Sequence, residues 1–172
     1  WPKKKFYKAK LYEQRNRHNE YYSTAYNLEP DLKESPGTLR DFQASLWILQ
    51  HCFDLDTLKK VSNSKDFKED FKDSINAYNF IKSLRFSTNI ETKRNRLNFE
   101  AQIGISKLAK LKANSSKDSV EMMMKRYYEM ASTLSYFNNI VFEKYAERFD
   151  KTSKKTKGIY TVSYTHLRAH ET

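Results

Sequence analysis

Residues 118–137, DSVEMMMKRYYEMASTLSYF, contain the pattern that decides the fold of this chain. Apolar or small residues recur in this stretch at alternating spacings of four and three, at Val120, Met124, Tyr127, Ala131 and Leu134. This spacing places the side chains on one side of an α-helix, in the seam through which one helix packs on another. The stretch therefore predicts a long amphipathic helix within a helical core.

The same spacing appears in other parts of the chain. Residues 39–53 and 66–84 each place five apolar side chains three or four positions apart, which is typical of a helix with one buried face. Further helices are predicted over residues 3–24, 89–113 and 140–151. Because only three glycines and three prolines are present, the turn-rich pattern of a β-sandwich or barrel is excluded. The predicted fold is an all-α helical bundle with long helices.

Composition limits the domain organisation and the compartment. A chain of 172 residues with 38% hydrophobic residues is long enough for one packed domain. The single cysteine, Cys52, can form no disulfide within the chain, which favours a reducing compartment and predicts a cytoplasmic protein. No apolar run approaches the length of a transmembrane helix.

Known catalytic patterns are missing from the sequence. It has no Ser/His/Asp or Cys/His arrangement and no glycine-rich phosphate loop, which predicts a protein without catalytic residues or a cofactor. His166 and His170 are spaced as a ligand pair would be, but no third ligand accompanies them, and no metal site is predicted. His18 and His51 are interpreted as ordinary surface or boundary residues.

Residues 161–172 differ abruptly in character from the rest of the chain. The string VSYTHLRAHET resembles a translated sequencing adaptor, so residues 158–172 are predicted to be a disordered or artefactual tail. The remaining residues, 1–157, are predicted to form one helical domain.

The net charge of +11 is concentrated near the two ends of this domain. Residues 1–17 and 144–157 are strongly basic, whereas the residues between them are almost neutral. In the second basic segment, Lys144, Arg148 and Lys151 are spaced i, i+4, i+7 and share a helical stripe about 60° wide. Since neighbouring like charges repel, the stripe suggests a multivalent anion as ligand. An alternative is that Glu147, at the edge of the stripe, neutralises it internally.

Two segments resemble the SPX domain family. The run NNIVFEKYAERFDK, residues 138–151, is similar to the closing helix of that domain. Residues 6–17 match a second SPX helix at Phe6, Tyr7, Lys10, Glu13 and Arg17. The sequence departs from the SPX pattern where Glu147 replaces a lysine and where Ile140 and Val141 replace a Thr-Gly pair. On this resemblance the domain has an SPX-like three-helix core, is truncated at its N-terminus, and contains a helical insert at about residues 39–113.

The resemblance implies a sensor module in phosphate homeostasis that binds an inositol polyphosphate or pyrophosphate. Lys144, Arg148 and Lys151 would then be the ligand contacts. The implied partners are the inositol phosphate and either a partner protein or an attached membrane transporter domain.

A second hypothesis stays open at this point. The aromatic residues between the cations of KKKFYKAKLYEQRNR, residues 3–17, could stack on bases while the cations bind phosphates. This would make the chain a nucleic-acid-binding module, or a scaffold helix at an anionic lipid surface.

Overall fold

The computed structural model describes residues 1–21, 26–108 and 116–154 and, for residues 108, 116–117 and 149–154, the helical backbone alone. Within these ranges the chain forms six helices and one isolated β-bridge, between Asp31 and Arg96. The helices are α1 (Lys3–Glu20), α2 (Leu39–Phe53), α3 (Leu58–Ser62), α4 (Lys68–Thr92), α5 (Phe99–Leu108) and α6 (Ser116–Lys154). The predicted all-α bundle is confirmed.

Helix α6 is the central element of the bundle. It is 39 residues long, which corresponds to about 58 Å. Helices α2, α4 and α5 all pack against it. The predicted seam of α6 is buried, with Tyr127, Ala131 and Leu134 fully inaccessible to solvent. Burial of an apolar face stabilises a helix in a protein more than the intrinsic helix propensity of its residues does. Burial of this seam therefore contributes much of the stability of the bundle.

The prediction of two separate helices, 118–137 and 140–151, is wrong. α6 runs without interruption through Asn138, because that side chain is buried and bonds to α2 instead of to the backbone of its own helix. The buried face continues past the asparagine at Val141 and Tyr145.

The other helix boundaries also differ from those predicted. α4 begins at Lys68 and continues to Thr92, and the short α3 was not predicted. Thr88 and Thr92 lie in the last turns of α4, where their hydroxyls donate to backbone carbonyls one turn earlier. Gly104 lies inside α5 without interrupting it. Residues 22–24 and 109–113, which were also predicted as helical, lie outside the described residues.

An aromatic cluster joins α2, α4 and α6. The ring of Phe42 packs against Phe71, Tyr78 and Phe137, with centroids 4.6 to 6.3 Å apart. Such pairs add about 0.5 to 1.5 kcal/mol beyond the burial of their area. The high aromatic content of the sequence is thus used in the core.

Helix α1 lies at the edge of the bundle and has little apolar burial. Gln14 is its only buried residue. Tyr7 contacts the C-terminal half of α6, where its hydroxyl donates to the Phe142 carbonyl at 3.2 Å and its ring lies 4.8 Å from that of Tyr145. The attachment of α1 to the bundle therefore depends more on polar contacts than the attachment of the other helices does.

Helices α2, α4 and α5, which lie within residues 39–113, contribute to the same core as α6. The division of the chain into a domain with an insert stays a prediction, and residues 158–172 lie outside the described residues. None of the helices in the described ranges is both long and apolar enough to cross a membrane.

Candidate functional site

The candidate site is built around a carboxylate buried in the first turn of α2. The side chain of Asp41 is 1% exposed. Arg17 Nη2 of α1 lies 2.5 Å from Asp41 Oδ1, and His18 Nε2 lies 2.9 Å from each carboxylate oxygen. A buried carboxylate is tolerated when it is paired and hydrogen-bonded, and here both partners come from α1. The ion pair therefore attaches α1 to α2.

The loop that precedes α2 is attached to the same carboxylate. The backbone amide of Gly37 donates to Asp41 Oδ2 at 2.8 Å. Gly37 has φ of +73°, a left-handed conformation that favours glycine. The hydroxyl of Thr38 donates to the Ser35 carbonyl at 2.5 Å. Asp41 thus holds the turn that starts its own helix.

Asn138 brings α6 into the network. Its Nδ2 donates to the Asp41 carbonyl and to Ser45 Oγ, both at 2.9 Å. Its Oδ1 accepts a hydrogen bond from Gln14 Nε2 of α1. We call Gln14, Arg17, His18, Asp41 and Asn138 the Asp41 cluster. It connects α1, α2 and α6 through charge-assisted and amide hydrogen bonds, which are directional and specify one arrangement.

The sequence alone indicates no role for Asp41 or Asn138, and it predicts that His18 is a surface or boundary residue. A signal for the burial of Asp41 is nevertheless present. Asp41, Ser45, Ile48 and Cys52 recur at spacings of four, three and four, and all four are buried. Because α2 also buries Phe42, Leu49 and Phe53, it is packed on two sides, and its second face contains the carboxylate.

The predicted ligand contacts lie beside an acidic residue at the end of the loop before α4. Arg148 Nη2 is 3.2 Å from Asp66 Oδ2, and Lys144 Nζ is 4.0 Å from Asp66 Oδ1. The Arg148 guanidinium also lies 4.3 Å from the centroid of the Phe53 ring. The side chain of Lys151 lies outside the described residues. A ligand-binding role for these three residues stays a prediction, and the structure places Asp66 beside two of them.

The described parts of the two basic segments lie close together. Lys3 Nζ at the start of α1 is 2.5 Å from the carboxylate of Asp54, which directly follows Phe53. Arg148 packs on that phenylalanine. The first turn of α1 and the C-terminal part of α6 therefore meet at the C-terminal end of α2.

Side chains of residues 6–17, the second segment that resembles the SPX domain, contact other side chains of this protein. Arg17 pairs with Asp41, and Tyr7 packs against Phe142 and Tyr145. Lys10 pairs with Glu13 at 2.7 Å, and its ammonium lies 4.4 Å from the centroid of the Trp47 ring. Aromatic and basic residues at these spacings therefore serve packing and internal ion pairs in α1.

The thiol of Cys52 is buried beside the start of α1. Burial raises the pKa of this thiol to about 11. We expect iodoacetamide to alkylate Cys52 roughly a hundredfold more slowly in the folded protein at pH 8.5 than in urea, because the thiolate is the reacting species. Mass spectrometry of timed samples measures both rates, and equal rates would show that the thiol is accessible. The pKa of this thiol is 9.0 as an ordinary value and about 11 in the folded protein. Its contribution to the free energy of unfolding is therefore fully present below pH 9 and is lost as the pH rises through 11.

Within the part of the chain that the structure describes, no three His, Cys, Asp or Glu side chains are grouped as metal ligands would be. His166 and His170 lie outside that part.

Comparisons with known proteins identify a different family from the one the sequence suggested. The sequence model of a family described as GlnD PII-uridylyltransferase matches residues 5–142. A bifunctional uridylyltransferase/uridylyl-removing enzyme of Vibrio vulnificus is 34% identical over 146 residues, which cover 83% of this chain and 17% of the relative. The proteins of the same name from Pasteurella multocida and Photobacterium profundum are 32% and 30% identical, covering 90% and 99% of this chain.

The chain spans only 17 to 20% of the length of these relatives. No solved structure matches it. The matched range, residues 5–142, contains all five residues of the Asp41 cluster.

These matches correct several predictions. The SPX resemblance is wrong, and with it the phosphate-sensing function and the inositol phosphate partner. The alternative of a nucleic-acid-binding or scaffold module is not supported either. The prediction of a protein that is not an enzyme is also wrong, because the relatives are named as bifunctional enzymes. The physical reason for the error is that short helical motifs of basic and aromatic residues also arise from internal packing, as in α1.

Proposed function

This chain belongs to the GlnD PII-uridylyltransferase family, and we propose on that basis that it forms a helical segment of an enzyme that transfers uridylyl groups to PII and removes them. The observation that carries the proposal is the family match over residues 5–142, which includes the whole of α2, α3, α4 and α5 and most of α1 and α6. The relatives are named for both reactions, the transfer and the removal of uridylyl groups.

The role that we propose for the segment is to support the reaction by holding its helices in a fixed arrangement. Helix α1 buries little apolar surface, and the Asp41 cluster attaches it to α2 and α6. A reaction site requires neighbouring groups to be held within about 0.5 Å of their productive positions. Displacement of α1 would therefore lower activity even if no reacting group were lost.

The proposal is tested with the full-length polypeptide that contains this segment. Purified protein is incubated with PII and a labelled uridine nucleotide, and the label on PII is followed by mass spectrometry and gel electrophoresis. Uridylyl-PII is then supplied alone to measure removal. We expect both transfer and removal, whereas a folded protein that does neither would overturn the proposal.

The Asp41 cluster is tested in the same assay. Arg17→Met removes the cation that pairs with Asp41 but keeps a side chain of similar length. We expect transfer and removal to decrease together, because both depend on the same helical arrangement. A matched control is Arg96→Met, which removes a cation that is 62% exposed and pairs with Glu29, and it should keep both activities. A decrease confined to the control would contradict the proposed role.

A cytoplasmic location belongs to the proposal as well. It is supported by Cys52, a buried thiol without a disulfide, which is typical of proteins in reducing compartments. Fractionation of cells that express the full-length polypeptide, followed by immunoblotting, tests this location. Recovery in an oxidising compartment would contradict it.

A further inference from the structure

An apolar groove of about 780 Å³ lies between the loop before α2, the start of α5 and the first half of α6. We call it the α6 groove. The side chains that matter for its chemistry are Tyr26, Leu28, Phe99, Val120, Met124 and Tyr128. It lies apart from the Asp41 cluster, whose residues are not among those lining it.

The groove contains an unusual concentration of exposed apolar surface. Tyr26 is 65% exposed, Leu28 66% and Phe99 56%. Single exposed apolar residues are common on protein surfaces, but several that meet in one groove are typical of a docking site. The groove therefore has the character of an interface that the described residues do not themselves cover.

The wall formed by α6 has a regular pattern. Val120, Met124, Tyr128 and Ser132 line the groove at intervals of four residues, so the wall extends over about 18 Å of helix. A second row beside it contains Glu121, Lys125 and Glu129 at the same interval. Side chains at intervals of four form a ridge inclined to the helix axis, and such a ridge packs between the ridges of a second helix that crosses at an angle of about 50°. The charged row beside it can pair with opposite charges on the flank of that helix.

Hydrogen bonds fix the backbone of the loop that lines the groove. The Gln102 side-chain amide of α5 donates to the carbonyls of Leu28 and Leu97, at 2.7 and 3.0 Å. The Tyr128 hydroxyl of α6 donates to the Asn27 carbonyl at 3.3 Å. The loop that contains Leu28 is thus attached to both neighbouring helices, so the groove exists before a partner arrives, which lowers the entropic cost of docking.

We propose that the α6 groove binds an amphipathic helix from another part of the same polypeptide. The occupant is a helix of about 12 residues with apolar side chains three and four positions apart. Its flank carries an anion opposite Lys125 and a cation opposite Glu129. This inference rests on the proposed function in one respect, that the chain is a segment of a longer enzyme.

Relative length supports an occupant from the same polypeptide. The segment covers 17% of the Vibrio vulnificus relative, so most of a polypeptide of that length lies outside the helices described above. A tethered helix is present at a high effective concentration, which favours it over a free partner for a groove of modest size.

The test places a photoreactive benzoylphenylalanine at position 28 of the full-length protein. After irradiation, mass spectrometry identifies the crosslinked peptide. The expected result is a crosslink within one polypeptide, to a peptide outside residues 1–172 that has the helical apolar spacing. The control carries the same group at position 86, where Phe86 is 69% exposed on α4 away from the groove, and it should not capture that peptide.

Other outcomes overturn the inference. Crosslinks only to a second copy of the chain would make the groove an oligomer interface, and crosslinks only to added PII would make it a substrate-docking surface. Absence of any crosslink at position 28 would show that the groove is not covered. Because the readout is a contact and not an activity, each of these results can be obtained whether or not the protein uridylylates PII.

A second measurement covers the case in which the crosslinking group disturbs the groove. Leu28→Asp should accelerate hydrogen exchange by at least about tenfold at the amides of one helix outside residues 1–172, because it places a charge in the apolar contact. Phe86→Asp is the matched control and should leave those amides unchanged. Equal exchange in the two variants would contradict the docking of that helix in the groove.

Discussion

Replacement of Asp41 by asparagine is expected to lower the free energy of unfolding by about 3 to 5 kcal/mol, the cost of breaking a buried ion pair by removing one partner. The Arg17 side chain is only 10% exposed and would lose its counter-ion. The amide of Gly37 and the ring of His18 would lose an ionised acceptor at the same time. Urea unfolding followed by circular dichroism measures the change.

A matched control separates this effect from a general loss of negative charge. Asp66→Asn removes a carboxylate that is 45% exposed and pairs with the 56% exposed Arg148, so it should cost less than about 1 kcal/mol. If Asp41→Asn does not fold, the double variant Arg17→Met/Asp41→Asn should recover part of the loss, because it removes the unpaired charge. Equal destabilisation by Asp41→Asn and Asp66→Asn would contradict a buried ion pair.

Replacement of Gly37 by alanine is expected to cost about 2 to 5 kcal/mol, the sum of a left-handed conformation and a steric overlap. At φ of +73°, an added Cβ would lie 2.2 Å from the Ala131 carbonyl oxygen and 2.8 Å from Ser135 Oγ. The first of these is backbone of α6, which cannot rotate away. The loop would have to move off α6 and take the Gly37–Asp41 hydrogen bond with it. Thermal and urea unfolding measure the loss.

Gly104 provides the control for this substitution. A Cβ at this position in α5 would meet the carboxylate of Glu91 at 2.9 Å, and that side chain is the flexible end of an exposed residue. Alanine is favoured over glycine inside a helix by about 1 kcal/mol. Gly104→Ala should therefore be neutral or slightly stabilising. A loss as large as that of Gly37→Ala would show that the close approach to α6 is not the cause.

Sequence periodicity predicts most of the bundle because burial follows the helical repeat. The seam from Val120 to Leu134 and the apolar face of α2 are buried as expected, although Val120 and Leu46 are only partly so. Periodicity does not predict where a helix stops when a polar residue interrupts the face. In the sequence Asn138 indicates the end of a helix. In the folded protein its side-chain amide donates hydrogen bonds to the Asp41 carbonyl and to Ser45 Oγ of α2, and the helix continues.

The candidate site was missed for a related reason. An aspartate in the first turn of a helix is favoured by the helix dipole, and that local explanation is sufficient when the sequence is read alone. The burial of Asp41 depends on Arg17 and His18, which lie 24 and 23 positions away on another helix. Pairing across such a distance is a property of the tertiary arrangement.

The SPX resemblance was wrong because it depended on short segments of the chain. It relied on two short helical stretches near the ends of the domain, where cations and aromatic residues are frequent. The charged positions of those stretches take part in internal pairs such as Arg17–Asp41 and Arg148–Asp66. The family match, by contrast, extends over residues 5–142 and includes the core.

The proposed function is tested by placing this segment in a relative. Residues 5–142 replace the matching segment of the Vibrio vulnificus bifunctional enzyme, and the purified chimera is assayed for uridylyl transfer to PII and for removal from uridylyl-PII. If this chain is a working segment of such an enzyme, the chimera keeps both activities, and Asp41→Asn within it lowers both. A chimera that folds, as judged by circular dichroism and gel filtration, but has neither activity would contradict the proposed function.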